Sequence, residues 1–596
     1  MICQPATNWN LSLQKVLEGP DCPRSVVPPP PPYPTFPQQS LAMGCGVLED
    51  TKLSHVPGTA LFSEDPNATA YAAYEGIDIS TLQHGKGKYQ DIILVPQPSR
   101  VDLNDPLLWP TWKKHAFFFI LTYGTVLAGA VGPLVAADQT AIAAEFNASP
   151  NAFAQVLSSY FVLVLGLSTI FLQVGSVKFG KRPIYLITSL LLCVSTVWAS
   201  YTTSLGSFTG ARVMMGIAAA PLEFLVGASI NDIYHVHERS VPIAVWNLAL
   251  INGINVTPII TGQILDKPSL GFRWAFRFFA IACGVLCIAQ FFFMPETTFF
   301  REGVVPHPKT EASSTSVSEG EKGQVEAHEI EADNQPMKPL RSYASSLKMW
   351  NGVYKTSANS FSLLMRPLIM FFTPIVLFGG LIYGLGITFL VLFAVSVSII
   401  FSQPPYNFSS ASVGLTYAGP LISAFIATVI AGPLTGLCAR VLSKRNKGIF
   451  EPEFKLLPII LYLIFGTMGF VGFGMALQRG LPWIGPVMFT SLANFGIVMG
   501  STAAISYVID SHRHTADAAL GSLIFHKNIW SFGLTWNLVD QILEFGPQKV
   551  FSVVAGVLVF TCLTAIPMYI FGKRVRSFVH RYIKFSEEDE NTIVGH

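Results

Sequence analysis

From Ala116 onward the chain is a succession of apolar stretches, each long enough to cross a hydrocarbon layer roughly 30 Å thick. Inside such a layer no water can satisfy backbone N–H and C=O groups, so each stretch must close its hydrogen bonds as a helix. Spans are predicted near 116–137, 153–174, 184–203, 206–230, 242–265 and 273–294, and again near 367–400, 411–437, 456–478, 484–509, 517–541 and 550–571. The gap between the two sets carries SSTSVSEGEKGQVEAHEIEADNQP, too poor in apolar surface to fold alone. The expected fold class is therefore an all-α membrane protein with twelve transmembrane helices in two six-helix halves. The expected division is a disordered cytosolic tail over 1–114, halves at 115–295 and 367–571, a cytosolic linker at 296–366 and a cytosolic carboxyl tail at 572–596. The amino-terminal tail is rich in proline, with PPPPPYP at 28–34.

Composition excludes the main alternatives. Hydrophobic residues make up 51% of the 596 positions and charged residues only 12%, with a mean hydropathy of +0.47. Soluble chains carry about twice that share of charge. Thirty-eight basic and thirty-six acidic residues leave a net charge of +2, so no nucleic acid or other polyanion is expected as a partner. Eight cysteines include no CxxC pair, so neither a zinc site nor a disulfide framework is indicated. The first hundred residues hold no signal-peptide core, which keeps the amino terminus in the cytosol.

Lysine and arginine then set the orientation. The inner segments hold Lys113, Lys114, Lys178, Lys181, Arg182, Arg239, Arg440, Lys444, Arg445, Lys447 and Arg513, whereas the outer ends carry only Lys267, Arg273, Arg277, Arg479 and Lys549. Both termini are expected inside. The sequons at Asn147 and Asn407 then fall in external loops, where they are candidate glycosylation sites. Asn10 and Asn67 head sequons in the cytosolic tail.

Short motifs narrow the class. Gly175-Ser-Val-Lys-Phe-Gly-Lys-Arg-Pro183 follows span 2, and span 4 carries Arg212-Val-Met-Met-Gly216. Span 5 carries Gly253-Ile-Asn-Val-Thr-Pro258-Ile-Ile-Thr-Gly262, and Pro295-Glu-Thr297 closes span 6. These resemble the basic loop, the RxxxG element, the drug:proton antiporter element (with Thr257 and Thr261 at two usual glycines) and the sixth-span ending of the major facilitator superfamily. The segments 48–59, 105–110, 232–239 and 451–456 are similar to a fungal branch of its twelve-span drug:proton antiporters. The resemblance covers about residues 43 to 575, and translation starting at Met43 rather than Met1 would retain all of it. Two positions depart from the pattern. Val177 and Gly436 stand where the family often has an Asp that helps hold the cytosolic face shut.

Ionisable residues within spans are costly and are functional candidates by default. Arg212 and Glu223 are eleven positions apart, only about 20° around a helix at 100° per residue. That stripe either faces a water-filled cavity or pairs with neighbouring helices. His526, Lys527 and Asn528 interrupt span 11, with Lys527 about 15 Å along the helix from Asp517. Glu223 is the candidate partner for Lys527, and backbone carbonyls of a neighbouring span are the alternative. Asn252 and Asn255 either contact substrate or bond a neighbouring span. The gating candidates are Lys181 and Arg182 in the basic loop and Asp232, Glu238 and Arg239, which would form an ion-pair latch. Asp510 is expected to be solvated.

The expected function is a proton-coupled secondary transporter, most simply an efflux antiporter for drugs or secondary metabolites. Proton-driven uptake of organic cations such as polyamines, or a non-transporting nutrient sensor, are the alternatives. No GxSxG, HExxH or GxxxxGK[ST] motif points to an enzyme or an ATP-driven pump. The partners expected are a small molecule, protons and lipid, with no cofactor or metal. A monomer in the plasma membrane is expected, with the vacuolar membrane as the other location.

Overall fold

The computed structural model describes residues 45–583 except 51, 54–55, 62–82, 84–93, 95, 100–101, 236–237, 300–338, 351–354, 357–358, 447 and 513–514. The tail before residue 45, the sequons at Asn10 and Asn67, and most of the central linker lie outside the described residues.

The first half contains α1 (Thr111–Val131), α2 (Pro150–Phe179), α3 (Lys181–Ser200), α4 (Leu205–Ile233), α5 (Ser240–Leu265) and α6 (Gly271–Phe293). The second contains α7 (Pro374–Phe401), α8 (Ala418–Arg445), α9 (Ile459–Gln478), α10 (Ile484–Ser511), α11 (Ala516–Thr535) and α12 (Pro547–Tyr582). Among the described residues eleven helices are long and apolar enough to cross a membrane. The twelfth element is α11, twenty residues long, whose apolarity is broken by the His526-Lys527-Asn528 run.

Packing follows a two-fold repeat. Within the first half α1 packs on α5, α3 on α6, and α2 and α3 on α4. Within the second, α9 lies against α10 and α12, and α8 against α10. The halves meet along two seams, α2 on α11 and α5 on α8. Small residues let backbones close up, as transmembrane packing requires. A Cβ on Gly253 would strike the Val126 carbonyl of α1, and one on Gly414 would strike the Pro258 carbonyl of α5.

Several boundaries differ from those expected. The α1 helix starts at Thr111 behind the extended Pro110, α11 stops at Thr535 before a short helix Leu538–Phe545, and α12 runs on to Tyr582. The helical run past 571 takes up the first part of the expected carboxyl tail.

The larger correction concerns the amino-terminal tail. Its described stretches are packed, because they carry apolar and acidic groups with complementary partners on the second half, at the α8–α9 loop and the end of α12. Val47 and Val56 are buried, and Ala60–Leu61 (β1) pairs antiparallel with Ile449–Phe450 (β2) between α8 and α9. The Leu48 amide donates to the Ile570 carbonyl at 2.9 Å, and the Tyr569 hydroxyl to the Cys45 carbonyl at 2.9 Å. Lys573 of α12 bridges Glu49 at 2.6 Å and Glu451 at 2.7 Å. Arg576 pairs with Glu451 at 2.6 Å and Glu453 at 2.9 Å, and also donates to the Pro57 carbonyl. Thr59 donates to Glu451 at 2.8 Å, and Ser577 to Asp50 at 2.7 Å. Residues 45–61 thus form a strap across the α8–α9 loop and the end of α12. Further along, Asp105 is fully buried and caps the turn Pro106–Leu108 through the Leu107 amide at 3.0 Å.

Candidate functional site

A small cavity of about 60 Å³ lies between the halves. Its walls are apolar and come from α1, α2, α4 and α5 on one side and α7 and α11 on the other. Polar character is confined to Glu223, Lys527, Asn528, Ser531, Ser158 and Gln139. Glu223 on α4 and Lys527 on α11 form a direct ion pair, Nζ donating to Oε2, with both side chains nearly inaccessible. The pair therefore spans the seam between the halves. Gly384 on α7 lets the Lys527 backbone approach closely, and Gly166 on α2 does the same for the Asn528 side chain. A Ser531–Thr388 bond of 2.8 Å fixes α11 to α7 just beyond Lys527.

The other sequence candidates are placed differently. Arg212 shares a helix with Glu223 but does not line the cavity. It is fully buried and donates to the carbonyls of Val131 at 2.7 Å, Gly132 at 3.3 Å and Leu157, with its guanidinium 4.7 Å over Phe161. A cation at the carbonyl end of α1 is favoured by the unpaired C=O groups and the helix dipole there. His526 faces away as well. Its Nδ1 donates to the Ser522 carbonyl at 3.0 Å and its ring stacks on Phe371 at 3.7 Å between centroids. Asn528 lines the cavity with Nδ2 bonded to the Ile524 carbonyl at 2.9 Å and Oδ1 without a partner. Asn252 is half-buried outside the cavity, and Asn255 lines a separate pocket.

At the end of the bundle expected to face the cytosol, Lys181 is buried between two acids. Its Nζ lies 2.8 Å from Asp232 of α4 and 3.7 Å from Asp517 of α11. The second contact crosses the halves, so an acid on α11 acts where the basic loop and its counterpart have Val177 and Gly436. Arg182 donates to the carbonyls of Met294, Phe291 and Leu347 and so joins the end of α6 to the linker. Glu296 accepts from the amides of Lys181 and Arg182, each at 3.1 Å, capping α3. Asp232 serves Lys181 rather than standing only in the expected latch, while Arg239 donates to the Tyr234 and Asn231 carbonyls at 2.8 and 3.0 Å. Asp510 is not solvated: it is buried against Lys455 at 2.6 Å. At the opposite end of the bundle the seam is bridged by uncharged donors. Asn151 donates to Asp540 at 2.7 Å, Gln155 to the Trp536 carbonyl at 3.1 Å, and Ser159 meets Thr535 at 3.1 Å.

Sequence reasoning passed over Asn247, Asp517 and Glu296. Asn247 on α5 is buried and donates across the halves to Ser501 at 2.6 Å and Thr502 at 3.1 Å. Its signal was available, an amide in an apolar span shortly before Asn252. Asn147 and Asn407 are exposed, each with positive φ (53° and 49°), and each is followed by a serine that caps the next short helix. A left-handed residue favours Asn and an N-cap favours Ser, so local backbone geometry alone accounts for both Asn-x-Ser triplets.

Two helical halves enclosing a buried, charge-paired cavity are the architecture of a membrane transporter. The sequence profile of the Major Facilitator Superfamily matches residues 117–535, and the chain belongs to that superfamily. It is 25% identical over 89% of its length to an uncharacterized MFS-type transporter of Schizosaccharomyces pombe, covering 94% of that protein. Protein HOL1 of Saccharomyces cerevisiae is also 25% identical, over 89% of this chain and 96% of that protein. The efflux pump radE of Floropilus chiversii is 24% identical over 81% of this chain and 85% of that one. Among solved structures, the proton:xylose symporter XylE superposes with a TM-score of 0.53 at 13% identity, over 77% of this chain and 96% of that one. The expected fold class and resemblance are thereby met, with low identity throughout.

Proposed function

We propose that the protein is a proton-coupled secondary transporter of small organic molecules, acting chiefly in efflux. The observation that carries the reading is the Glu223–Lys527 pair, buried in the cavity and shared between the halves. Protonating Glu223 leaves the Lys527 ammonium buried without its counter-ion, a costly state. Relief comes from opening the seam or from a substrate group that replaces the carboxylate. A ligand or proton shifts the two-state equilibrium only by its differential affinity for the states, and a pair split by the rocking motion has that property. Two further features support the gating roles of Lys181 and Arg182: the Lys181–Asp517 contact across the inner seam and the tie from Arg182 to the linker. Efflux is favoured by the mostly apolar cavity wall and by likeness to relatives such as radE.

Uptake of an organic cation is the second reading, because Glu223 places a carboxylate in the cavity. An incoming ammonium would then have to displace Lys527. Action as a monomer in the plasma membrane completes the proposal. The test is a substrate screen in proteoliposomes with an imposed pH gradient. Transport that collapses with the gradient, and that Glu223→Gln uncouples while passive exchange persists, is the expected result. Normal gradient-driven transport in Glu223→Gln would sink the coupling role. Depletion against accumulation of the identified substrate in expressing cells decides the direction.

A further inference from the structure

The exposed face of α6 continues past the helix end into the linker. On α6 the exposed apolar side chains Phe278, Ile281, Val285, Ile288 and Phe292 recur at spacings of three and four. That spacing makes one stripe, turned to hydrocarbon. It ends at the end of the bundle expected to face the cytosol, and there the linker segment 339–350 is packed against the first half. Asn104 donates to the Pro339 carbonyl at 3.0 Å and accepts from the Arg341 amide at 2.9 Å. The Tyr343 hydroxyl donates to the Phe292 carbonyl at 2.9 Å, and Arg182 to the Leu347 carbonyl at 3.1 Å. Trp350 closes the segment edge-on against Phe179, with ring centroids 5.8 Å apart.

These bonds engage backbone and the Tyr343 hydroxyl, so the large apolar side chains stay outside. Leu340 is 71% exposed, Tyr343 61%, Met349 48% and Trp350 42%. An exposed apolar cluster of this kind marks an interaction surface. Arg341 and Lys348 are exposed between them, and among the described residues neither side chain has a hydrogen bond or ion pair. Tryptophan and tyrosine favour the membrane–water interface, where the ring is buried and the polar atom stays wet. Basic side chains beside them favour anionic headgroups. The bond from Tyr343 to Phe292 puts the segment at the border of the lipid-facing stripe, so the partner that fits it is the membrane surface.

We propose that residues 339–350 lie in the membrane interface as an anchor. Leu340, Tyr343, Met349 and Trp350 enter the upper part of the acyl chains, and Arg341 and Lys348 meet the headgroups of anionic phospholipid. Through Arg182 the anchor holds the basic loop to the same leaflet. Any effect on gating rests on the transporter reading above; the lipid contact does not.

The test uses the full-length protein in phosphatidylcholine nanodiscs with a small fraction of photoactivatable lipid. That lipid is either phosphatidylcholine or phosphatidylserine, with a diazirine near the glycerol end of one acyl chain. After irradiation the adducts are mapped by mass spectrometry. They are expected on Leu340, Tyr343 and Met349 as well as on Ile288 and Phe292 of the stripe. On the segment, phosphatidylserine should label about fivefold better or more, the scale of one basic residue at an anionic surface. Joint substitution Arg341→Gln and Lys348→Gln should bring that ratio close to one. Comparison of the two lipids on the unmodified protein does not depend on how any variant folds. Adducts on Ile288 and Phe292 with none on the segment would mean that water or another protein covers it, and would overturn the proposal. Equal labelling by the two lipids, or a preference that survives both substitutions, would also overturn it. Labelling needs no gradient, substrate or flux, so its failure is distinguishable from failure of the transporter reading.

Discussion

Lys527 and Glu223 are a case in which removing one partner and removing both have opposite expected costs. Leaving a single buried charge costs about 3–5 kcal/mol, whereas exchanging both for uncharged groups of similar size is often neutral. Lys527→Met and Glu223→Gln should therefore each lower the melting temperature of the purified protein, and the double variant should regain most of the loss. Gradient-driven transport should stay lost in all three. A double variant that melts no higher than the singles would mean the ion pair is not what stabilises the seam. Both residues were legible in the sequence, because charge inside an apolar span is costly enough to need a reason. Their partnership was only one of two possibilities there, since which helices face each other depends on packing of the whole bundle. Arg212 shows the limit of such reasoning. Helical spacing correctly put it on a stripe with Glu223, yet eleven residues of rise carried it to the carbonyl end of α1, where Val131 and Gly132 take its protons.

At the scale of helices, α11 carries both the central charge and the inner closure. Asp517 sits in its first turn, where an acid also favours the helix N-terminus. Asp517→Asn removes the cross-half contact with Lys181 while leaving Asp232 in place. The cytosolic face should then open more often, seen as at least severalfold faster labelling of a cysteine introduced at Ser522 by a membrane-impermeant thiol reagent added from the cytosolic side. An unchanged labelling rate would remove Asp517 from the gate. The helices themselves were readable from apolar length, but which of them meet along the seams was not. Nor was Asp517, because an acid at the water-facing end of a span looks solvated in one dimension. The outer closure was equally hidden, since Asn151, Gln155 and Ser159 are polar residues near a loop and carry no charge to mark them.

At the scale of the whole molecule, the strap at residues 45–61 ties the α8–α9 loop to the end of α12. Deleting residues 1–42 should leave melting temperature and transport unchanged, whereas deleting 1–61 takes Glu49 from Lys573 and the Pro57 carbonyl and Thr59 from Arg576 and should lower the melting temperature by several degrees. Equal melting of the two truncated proteins would show the strap to be dispensable. The same cluster predicts an acid limit. Burial pushes the Glu451 carboxyl up, but Arg576 and Lys573 outweigh it and hold the group below its usual range. A lowered native pKa adds stability that is fully present above the ordinary glutamate value, about 4.3, and is lost as pH falls through the lowered value. Melting temperature should therefore be insensitive to pH near neutrality and drop at pH below about 4, less steeply in Glu451→Gln. Proline-rich composition hid this strap, because a short packed stretch behind a long polar one leaves no periodic signal. Its geometry also bears on how the protein is made. Cys45 and Tyr569 are 524 positions apart, so the strap leaves the ribosome about 25–100 s before its docking surface at 5–20 residues per second. Throughout that interval the part of the strap that docks on α12 waits without its receptor, and a chain that stops short of α12 never gives it one. Docking of the strap thus reports whether α12 has been completed.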